Sequence, residues 1–568
     1  MRTFAQVVRG RVGDTHEGLR FEGRSWTWDE VVREACVRAS LLRTFTPIHD
    51  RSADGYGPRT HVGILMQNVP DFVFWLLGAA LNGDVVVGIN PTRRGAELEL
   101  DIAHAECDLI ITENHYLDEL AAISLGIPTE HLLNVDTEHY AELLRAHRDA
   151  DLPEVDPAAD DLLLLLFSSG STGAPKAVIC SQGRLGGLTD SMSERIGIHR
   201  DSMVYMSLPL FHGHAIMMCL ATAANVGATV VMVRKFSASR FAADLHEHRI
   251  TFFNYVGRML SYVLNQPAAP IERDNALEVV FGSEASPAEV RLFRERFGCE
   301  DVREGYGASE GVLRITPVPG SPDNALGLPA AGVEVEVRDP DTGLECPRAI
   351  FDADGVLLNA GEATGELVAL GRGPSFEGYY KNPDAMADRL RFDGADFWTG
   401  DLGYRDADGY FYFAGRSTDW LRVDGENFGA AAIERILVRF PAFSGAHVLA
   451  VADPNTGDQV MAVVTLKPGA VFDAEAFADF LAEQPDLGSK WRPTFVRIVD
   501  EVPITGSGKI NKAPLRQVAW EAPEVWYAPT RTSPYRPLTD QQRTEFRDAF
   551  RANGRANHLP QPEAGAAR

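Results

Sequence analysis

Residues 162–176 read LLLLLFSSGSTGAPK, and no other stretch of this 568-residue chain limits its folding so strongly. Five consecutive leucines, Leu162 to Leu166, leave no polar face, so they fit a strand covered on both sides, as inside a parallel sheet. The run breaks into Ser168, Ser169, Gly170, Ser171, Thr172 and Gly173, followed by Pro175 and Lys176. Glycines let backbone N–H groups turn toward an anion, hydroxyls add short donors, and the lysine supplies a mobile positive charge. Together they make a phosphate cradle. The G-x-x-x-x-G-K-[ST] spacing of the Walker A loop is absent. Ser/Gly runs are also common in surface loops, but a buried strand feeding directly into this one argues against that reading.

The chain is too long for one core and predicts two or more domains. With 45% apolar residues it has the composition of an ordinary globular protein. A formal charge of −26 would repel a phosphate backbone and argues against a general nucleic-acid binder. Cys36, Cys107, Cys180, Cys219, Cys299 and Cys346 are scattered, without a C-x-x-C pair. They read as packed, reduced thiols of a cytoplasmic protein. The N-terminus leads into Arg9 and Arg11 without an apolar signal segment, and no uncharged apolar stretch reaches the roughly 20 residues needed to span a bilayer.

The first four hundred residues alternate strand-like and helical segments, the rhythm of βα units, with a change of texture after Gly320. Strands are predicted at 61–66, 84–89, 229–233 and 278–281, helices at 71–81 and 96–105, and a turn at 90–92. The texture then becomes β-rich, with strands at 333–337, 365–369 and 410–414. A smaller unit follows, with strands at 447–452, 460–466 and 495–499. The last fifty residues are polar and partly Pro-rich, and read as a poorly ordered or externally docked tail. The expected fold is α/β. A large N-terminal domain (1–415) would hold mixed, mainly parallel sheets flanked by helices plus a β-rich subdomain. A small α+β C-terminal domain (416–520) and a tail (521–568) would follow.

Four more motifs lie downstream. Tyr306, Gly307, Ala308, Ser309, Glu310 and Gly311 follow a helical segment near 286–297. Then come Trp398-Thr399-Gly400-Asp401-Leu402-Gly403 and Gly415-Arg416-Ser417-Thr418-Asp419. Pro503-Ile504-Thr505-Gly506-Ser507-Gly508-Lys509-Ile510 stands near the end. In this order and at these separations, the set resembles the motifs of the adenylate-forming superfamily of acyl-CoA synthetases, peptide-synthetase adenylation domains and luciferases. The resemblance runs from about Trp26 to Arg516. It implies ATP, Mg²⁺ and, in the acyl-CoA branch, CoA, with the small C-terminal domain acting as a mobile lid. In so acidic a chain ATP would need a local positive site and a metal.

Ser168 to Gly173 and Lys176 would grip the triphosphate. A lone carboxylate beside a nucleotide suits Mg²⁺, which takes one or two carboxylates plus phosphate oxygens. A surface glutamate is the plainer reading of Glu310, and the resemblance places it, with Thr172, on the family's magnesium position. Tyr306 suits stacking on adenine, beside glycines that permit close approach. Gly282, Ser283, Glu284 and Ala285 would line the other side of the base, and Glu304, Gly305, Ala308 and Ser309 complete that wall. Asp401, expected at a strand terminus, could accept from two ribose hydroxyls, although T-G-D is also good turn chemistry. The resemblance assigns Arg416 to ribose and phosphate near the hinge. Lys509, on a glycine-rich loop, could meet charge developing on the α-phosphate, and it matches the family's lid lysine.

Pro209-Leu210-Phe211-His212-Gly213-His214 carries two histidines but no third ligand nearby, which is not a zinc site. The resemblance puts Phe211 and His212 at the acyl-site gate, with His212 near the reacting carboxylate; His214 reads equally well as a packed core residue. Residues 254–258 and 265–267 look most like the fatty-acid-transport and very-long-chain acyl-CoA synthetase branch, including actinobacterial relatives that activate steroid side-chain acids. Tyr255, Val256 and Gly257, with Gly282 and Gly307, would then line the acyl pocket. Three positions depart from the family pattern: Ala177 replaces the glycine usual after the loop lysine, Ser181-Gln182 stands where a histidine is common, and Thr418 occupies the hinge.

The expected function is an ATP-dependent, AMP-forming acid–CoA ligase for a large hydrophobic carboxylic acid, as a monomer or homodimer. A greasy acid leaves room for peripheral membrane contact. The rivals keep adenylation and change the second substrate: a diazotase using nitrite and an aromatic amine, or loading of a carrier-protein thiol. A non-catalytic scaffold would have no need of Lys176, Glu310, Asp401, Arg416 and Lys509 together.

Overall fold

A computed structural model describes residues 2–51, 58–168, 176–257, 259–283, 285, 287–322, 325–352, 357–392, 394–416, 420–423, 426–455, 457–484, 487–488, 490–504, 510–553 and 555–560. They fall into two compact units. The first is built from Met1–Arg314 with Pro374–Asp388, and the second from Ile315–Gly373, Arg389–Ile504 and Ile510–Arg568.

The first unit holds two sheets. One runs in the order Leu132–Asn134, Leu109–Thr112, His61–Leu65, Val85–Gly88, Leu162–Ser168, Lys176–Ser181. Its strands are parallel except for the last pair. The leucine run is thus parallel to one neighbour and antiparallel to the other, which is the strand that follows it in sequence, Lys176–Ser181. Burial on both faces explains the missing alternation: Leu163, Leu164 and Leu165 are wholly enclosed. The other sheet runs Val302–Glu304, Val279–Ser283, Phe252–Val256, Met203–Met206, Thr229–Met232, Glu17–Phe21, Arg24–Thr27, and only its last pair is antiparallel. Helix Pro70–Asn82 starts on Pro70 and ends at Gly83, whose φ of +78° forms the left-handed cap. It is buried almost all round, as its composition dictates. All six cysteines are free and buried, and enclosure pushes the Cys180 thiol up to about 11.

His61 begins a strand inside this unit. Its Nδ1 faces the Ala105 carbonyl at 2.7 Å, and burial, helped by the Arg51 charge, lowers its pKa to about 4. The unfolded chain takes up a proton below about 6.5, whereas the folded chain stays neutral until about 4. This contribution to stability is therefore whole above pH 6.5 and shrinks as pH falls toward 4. Asp101, raised to about 6 by burial, acts in the opposite sense. The expected result is that His61→Gln flattens the pH dependence between pH 6.5 and 5 by about 2 kcal/mol relative to wild type. Chemical denaturation of both proteins across that range checks it, and the Asp101 effect cancels in the comparison.

The second unit carries an antiparallel sheet ordered Val335–Arg338, Gly365–Ala369, Phe397–Arg405, Phe411–Arg416. A five-stranded sheet follows, ordered Phe443–Ala452, Asp458–Leu466, Phe495–Ile498, Val525–Tyr527, Arg536–Pro537. The segment expected as a tail is corrected here, because Val525–Tyr527 pairs with Phe495–Ile498 and then with Arg536–Pro537. Helix Asp540–Ala552 adds Phe550 to a core with Leu449, Met461, Phe495 and Trp520. The polar texture that suggested a tail belongs to the outer face of an amphipathic helix. Among the described residues, no helix is long and apolar enough to cross a membrane.

Candidate active site

In open α/β sheets, ligands sit beyond the C-terminal ends of parallel strands. Three strands of the seven-stranded sheet place Tyr255, Gly282 and Glu304 in one row, with Tyr255 opposite Gly282 and Gly282 opposite Glu304. A Cβ on Gly282 would lie 2.5 Å from the Tyr255 ring, so glycine is what lets that ring lie across the middle strand. The buried Tyr255 hydroxyl then donates to the Glu304 carboxylate. Tyr255 braces the row rather than presenting a free face. Val256 is buried beyond it, and Gly257 donates its N–H to the Ser283 carbonyl with φ +56°. Gly305 similarly donates to Gly282. The chain emerges as Tyr306, half-buried, and Gly307, exposed.

In the other sheet, Ser168 pairs with Lys176 at the end of the two strands next to the segment that connects them. Ser169, Gly170, Ser171, Thr172 and Gly173, together with Glu284, lie outside the described residues, as does Lys509. Residues 378–380 extend this sheet: Ile179 donates to the Gly378 carbonyl, Tyr380 donates to the Ala177 carbonyl, and Tyr379 bridges Val178. From there the Tyr379 hydroxyl donates to Glu310 Oε1 at 2.5 Å. Through Tyr379 this contact brings strand Lys176–Ser181 and the loop of Tyr306, Ala308, Ser309 and Glu310 to one place. Glu310 is only 8% exposed, which corrects the expectation of an accessible surface carboxylate. An all-oxygen donor with one oxygen already fixed by a hydroxyl fits a hard cation such as Mg²⁺.

The loop carrying His212 lies over the same end of the sheet that holds the leucine run. A Cβ on Gly88 would sit 2.7 Å from the Phe211 carbonyl oxygen, and one on Gly213 would sit 2.9 Å from Leu166. Asn68 fixes the approach, accepting from Leu210 N–H and donating to the Leu208 carbonyl. His212 is half-buried, its ring 5.4 Å from that of Phe211. A π-helical turn, Ala215–Leu220, follows at once. Such turns recur at functional sites, where the extra residue re-aims nearby side chains.

In the second unit, Asp401 pairs directly with Arg416 across two strands. The expectation of a strand terminus is corrected: Asp401 lies inside Phe397–Arg405. Between the pairs Val368–Trp398 and Glu366–Leu402 the longer strand carries extra residues. The bulge is held by Thr399 Oγ1, which donates to the Leu367 carbonyl at 2.8 Å, and by Gly400, with φ +73° and its N–H on Glu366. Buried Glu366 has a raised pKa, chiefly from burial, opposed by the Arg391 charge at 2.9 Å. Asp401 lies just past this bulge and is 8% exposed.

Tyr379, Arg184 and Glu377 surround the 306–311 loop without belonging to any of the sequence motifs. Tyr379 stands 69 residues from Glu310, in a run whose only local signal is a tyrosine pair before Asn382-Pro383.

Two mainly parallel sheets flanked by helices, followed by a second unit with antiparallel sheets, match the fold of adenylate-forming enzymes. The chain belongs to the AMP-binding enzyme family: that family's model matches residues 7–380, and the model of the AMP-binding enzyme C-terminal domain matches 432–509. It is 45% identical over 564 residues to a steroid-22-oyl-CoA synthetase of Rhodococcus jostii (strain RHA1), covering 98% of this chain and 99% of that one. It is 41% identical over 513 residues to the medium/long-chain-fatty-acid–CoA ligase FadD17 of Mycobacterium tuberculosis (strain ATCC 25618 / H37Rv), covering 90% and 95%. In fold it is similar to ATP-bound MatB from Rhodopseudomonas palustris, with a TM-score of 0.75, 23% identity and coverage of 91% and 98%.

Proposed function

We propose that this chain is an ATP-dependent, AMP-forming acid–CoA ligase acting on a large hydrophobic carboxylic acid, of the long-chain or steroid side-chain type. The observation that carries the reading is the match to the AMP-binding enzyme family over residues 7–380 and to its C-terminal domain over 432–509; the Tyr379–Glu310 hydrogen bond, which ties the 306–311 segment to strand Lys176–Ser181, supports it. The similarity to ligases named for steroid and fatty acids supports the choice of acid.

In the first half-reaction a carboxylate oxygen of the acid attacks the α-phosphorus. The bond from that phosphorus to the bridging oxygen breaks, pyrophosphate leaves, and an acyl-adenylate forms. In the second, the CoA sulfur attacks the acyl carbon, the bond to AMP breaks, and the thiol proton is released. Positioning and electrostatics dominate such chemistry. Ser168 to Gly173 and Lys176 hold the triphosphate, Tyr306 stacks on the base, and Asp401 and Arg416 take the ribose. His212 faces the acid carboxylate, and Lys509 meets the charge developing at the α-phosphate. Glu310 and Thr172 would hold Mg²⁺, which neutralises triphosphate charge when bound.

Burial of the acid supplies most of its binding, at roughly 0.8 kcal/mol per CH₂. Pyrophosphate release with ATP and Mg²⁺ should therefore rise with chain length before crowding lowers it, and small polar acids should be poor substrates. A screen of straight-chain and polycyclic acids, followed by mass spectrometry after adding CoA, should find thioester and AMP. Release with nitrite but no acid, or AMP only with an aromatic amine present, would replace this reading with the diazotising one.

A further inference from the structure

We infer that Tyr379 and Arg184 are positioning residues that hold the 306–311 loop, and with it the Glu310 carboxylate, against strand Lys176–Ser181. The inference rests on the proposed role of Glu310 as the Mg²⁺ ligand. Two grips reach the loop, each anchored to strand Lys176–Ser181. The first is Tyr379, whose backbone is locked to that strand on both sides, and whose hydroxyl meets Glu310 Oε1. Both residues are nearly enclosed, at 2% and 8% exposure, so water competes weakly for the bond.

The second grip is Arg184. Its guanidinium donates to the Ile179 carbonyl at 2.6 Å, on the same strand, and to the Ser309 carbonyl, one residue before Glu310. It crosses Gly311, where φ is +68° and a Cβ would lie 2.5 Å from Nη2, so the crossing requires glycine. Glu377 lies 3.7 Å from the guanidinium. Ser181 ties the base together: its hydroxyl donates to Glu377 at 2.5 Å and accepts from the Arg184 N–H at 3.0 Å. Ser181, which stands where a histidine is common in the family, thus has a task as helix cap and anchor.

The loop is held on both sides of the ligand: the Ser309 carbonyl by Arg184, the Glu310 carboxylate by Tyr379. A carboxylate whose plane is fixed in advance loses less rotamer freedom on meeting a cation, and removing such an outer partner typically weakens metal affinity about 10–100-fold. Nothing in this arrangement requires Tyr379 or Arg184 to touch a substrate.

The test reads metal binding directly. Mn²⁺ is titrated by electron paramagnetic resonance into protein saturated with α,β-methylene-ATP, using wild type, Glu310→Gln, Tyr379→Phe, Arg184→Gln and the Glu310→Gln/Tyr379→Phe double variant. Tyr379→Phe should weaken Mn²⁺ about tenfold, Arg184→Gln should shift it the same way, and Tyr379→Phe should add nothing once Glu310 is changed. If Glu310→Gln weakens binding but neither Tyr379→Phe nor Arg184→Gln does, the positioning inference falls and the metal assignment stands. If Glu310→Gln leaves the Mn²⁺ affinity unchanged, the metal assignment falls and takes the inference with it. Should Tyr379→Phe fail to fold, Arg184→Gln decides alone.

Discussion

Lys509→Ala is expected to slow acyl-adenylate formation about 10²–10³-fold, the scale for removing a charged partner of a transition state. Thioester formation from a supplied acyl-adenylate should keep most of its rate. The asymmetry follows from where charge appears. Negative charge builds on the oxygens around phosphorus only while pyrophosphate is leaving, and a cation helps only there. Ile504 and Ile510, the residues that flank Lys509 and its glycines in the sequence, pair across an antiparallel bridge. Separate assays of the two half-reactions give the answer. Equal losses in both would assign Lys509 to general binding.

Asp108→Ala is expected to destabilise the first unit by about 3–5 kcal/mol, because it takes from a buried cation the fully buried one of its two carboxylate partners and leaves three backbone N–H groups without an acceptor. Asp108 and Arg51 are both fully enclosed. One carboxylate oxygen accepts from the Ile48 and His49 N–H groups, and the other from the His61 N–H and from Arg51 at 3.0 Å. Removing the carboxylate leaves these donors in a dry interior. Glu106 is part of the same cluster: it lies 3.3 Å from Arg51, accepts from the Tyr380 hydroxyl and pairs with Lys381. Adenylation should therefore fall with stability, since Tyr379 adjoins that anchor. Denaturant titration measures the first effect, and pyrophosphate release the second. An alanine variant as stable as wild type would mean that the carboxylate does not offset its own burial.

Most of the scaffold was legible because periodicity and turn chemistry act locally. The leucine run, the helix after Pro70 and the strands from 447 to 499 follow from side-chain pattern alone. What escaped depends on long-range register. The bulge at Thr399 and Gly400 exists because a neighbouring strand pairs with residues on either side of it, so a T-G-D triplet looked like a strand end. Glu310 looked like a surface residue because nothing within the 306–311 segment shows that Tyr379 will cover it. The C-terminal helix presents many charges, and its few apolar residues acquire meaning only when Trp520 and Phe495 are found beneath them. Among the candidate residues, those at the ends of parallel strands were foreseeable from motif and strand pattern together. Their braces were not, since a hydroxyl or guanidinium serving another residue carries no signature of its own.

The C-terminal helix also sets an order of events at the ribosome. Domains generally fold as they are synthesised, the N-terminal ones first. The two sheets of the first unit draw on residues before Arg314 and gain their last segment with Pro374–Asp388, so they can close while the remaining chain is still being made. The five-stranded sheet cannot. Its apolar face over Leu449, Val451, Met461 and Phe495 stays uncovered until Trp520, Val525, Leu538 and Phe550 have all emerged. A nascent chain halted before residue 520 would expose that face to chaperones and to its neighbours on the polysome. Helix Asp540–Ala552 therefore closes this core, and a premature stop codon ahead of it should be far more damaging than the loss of a dispensable extension.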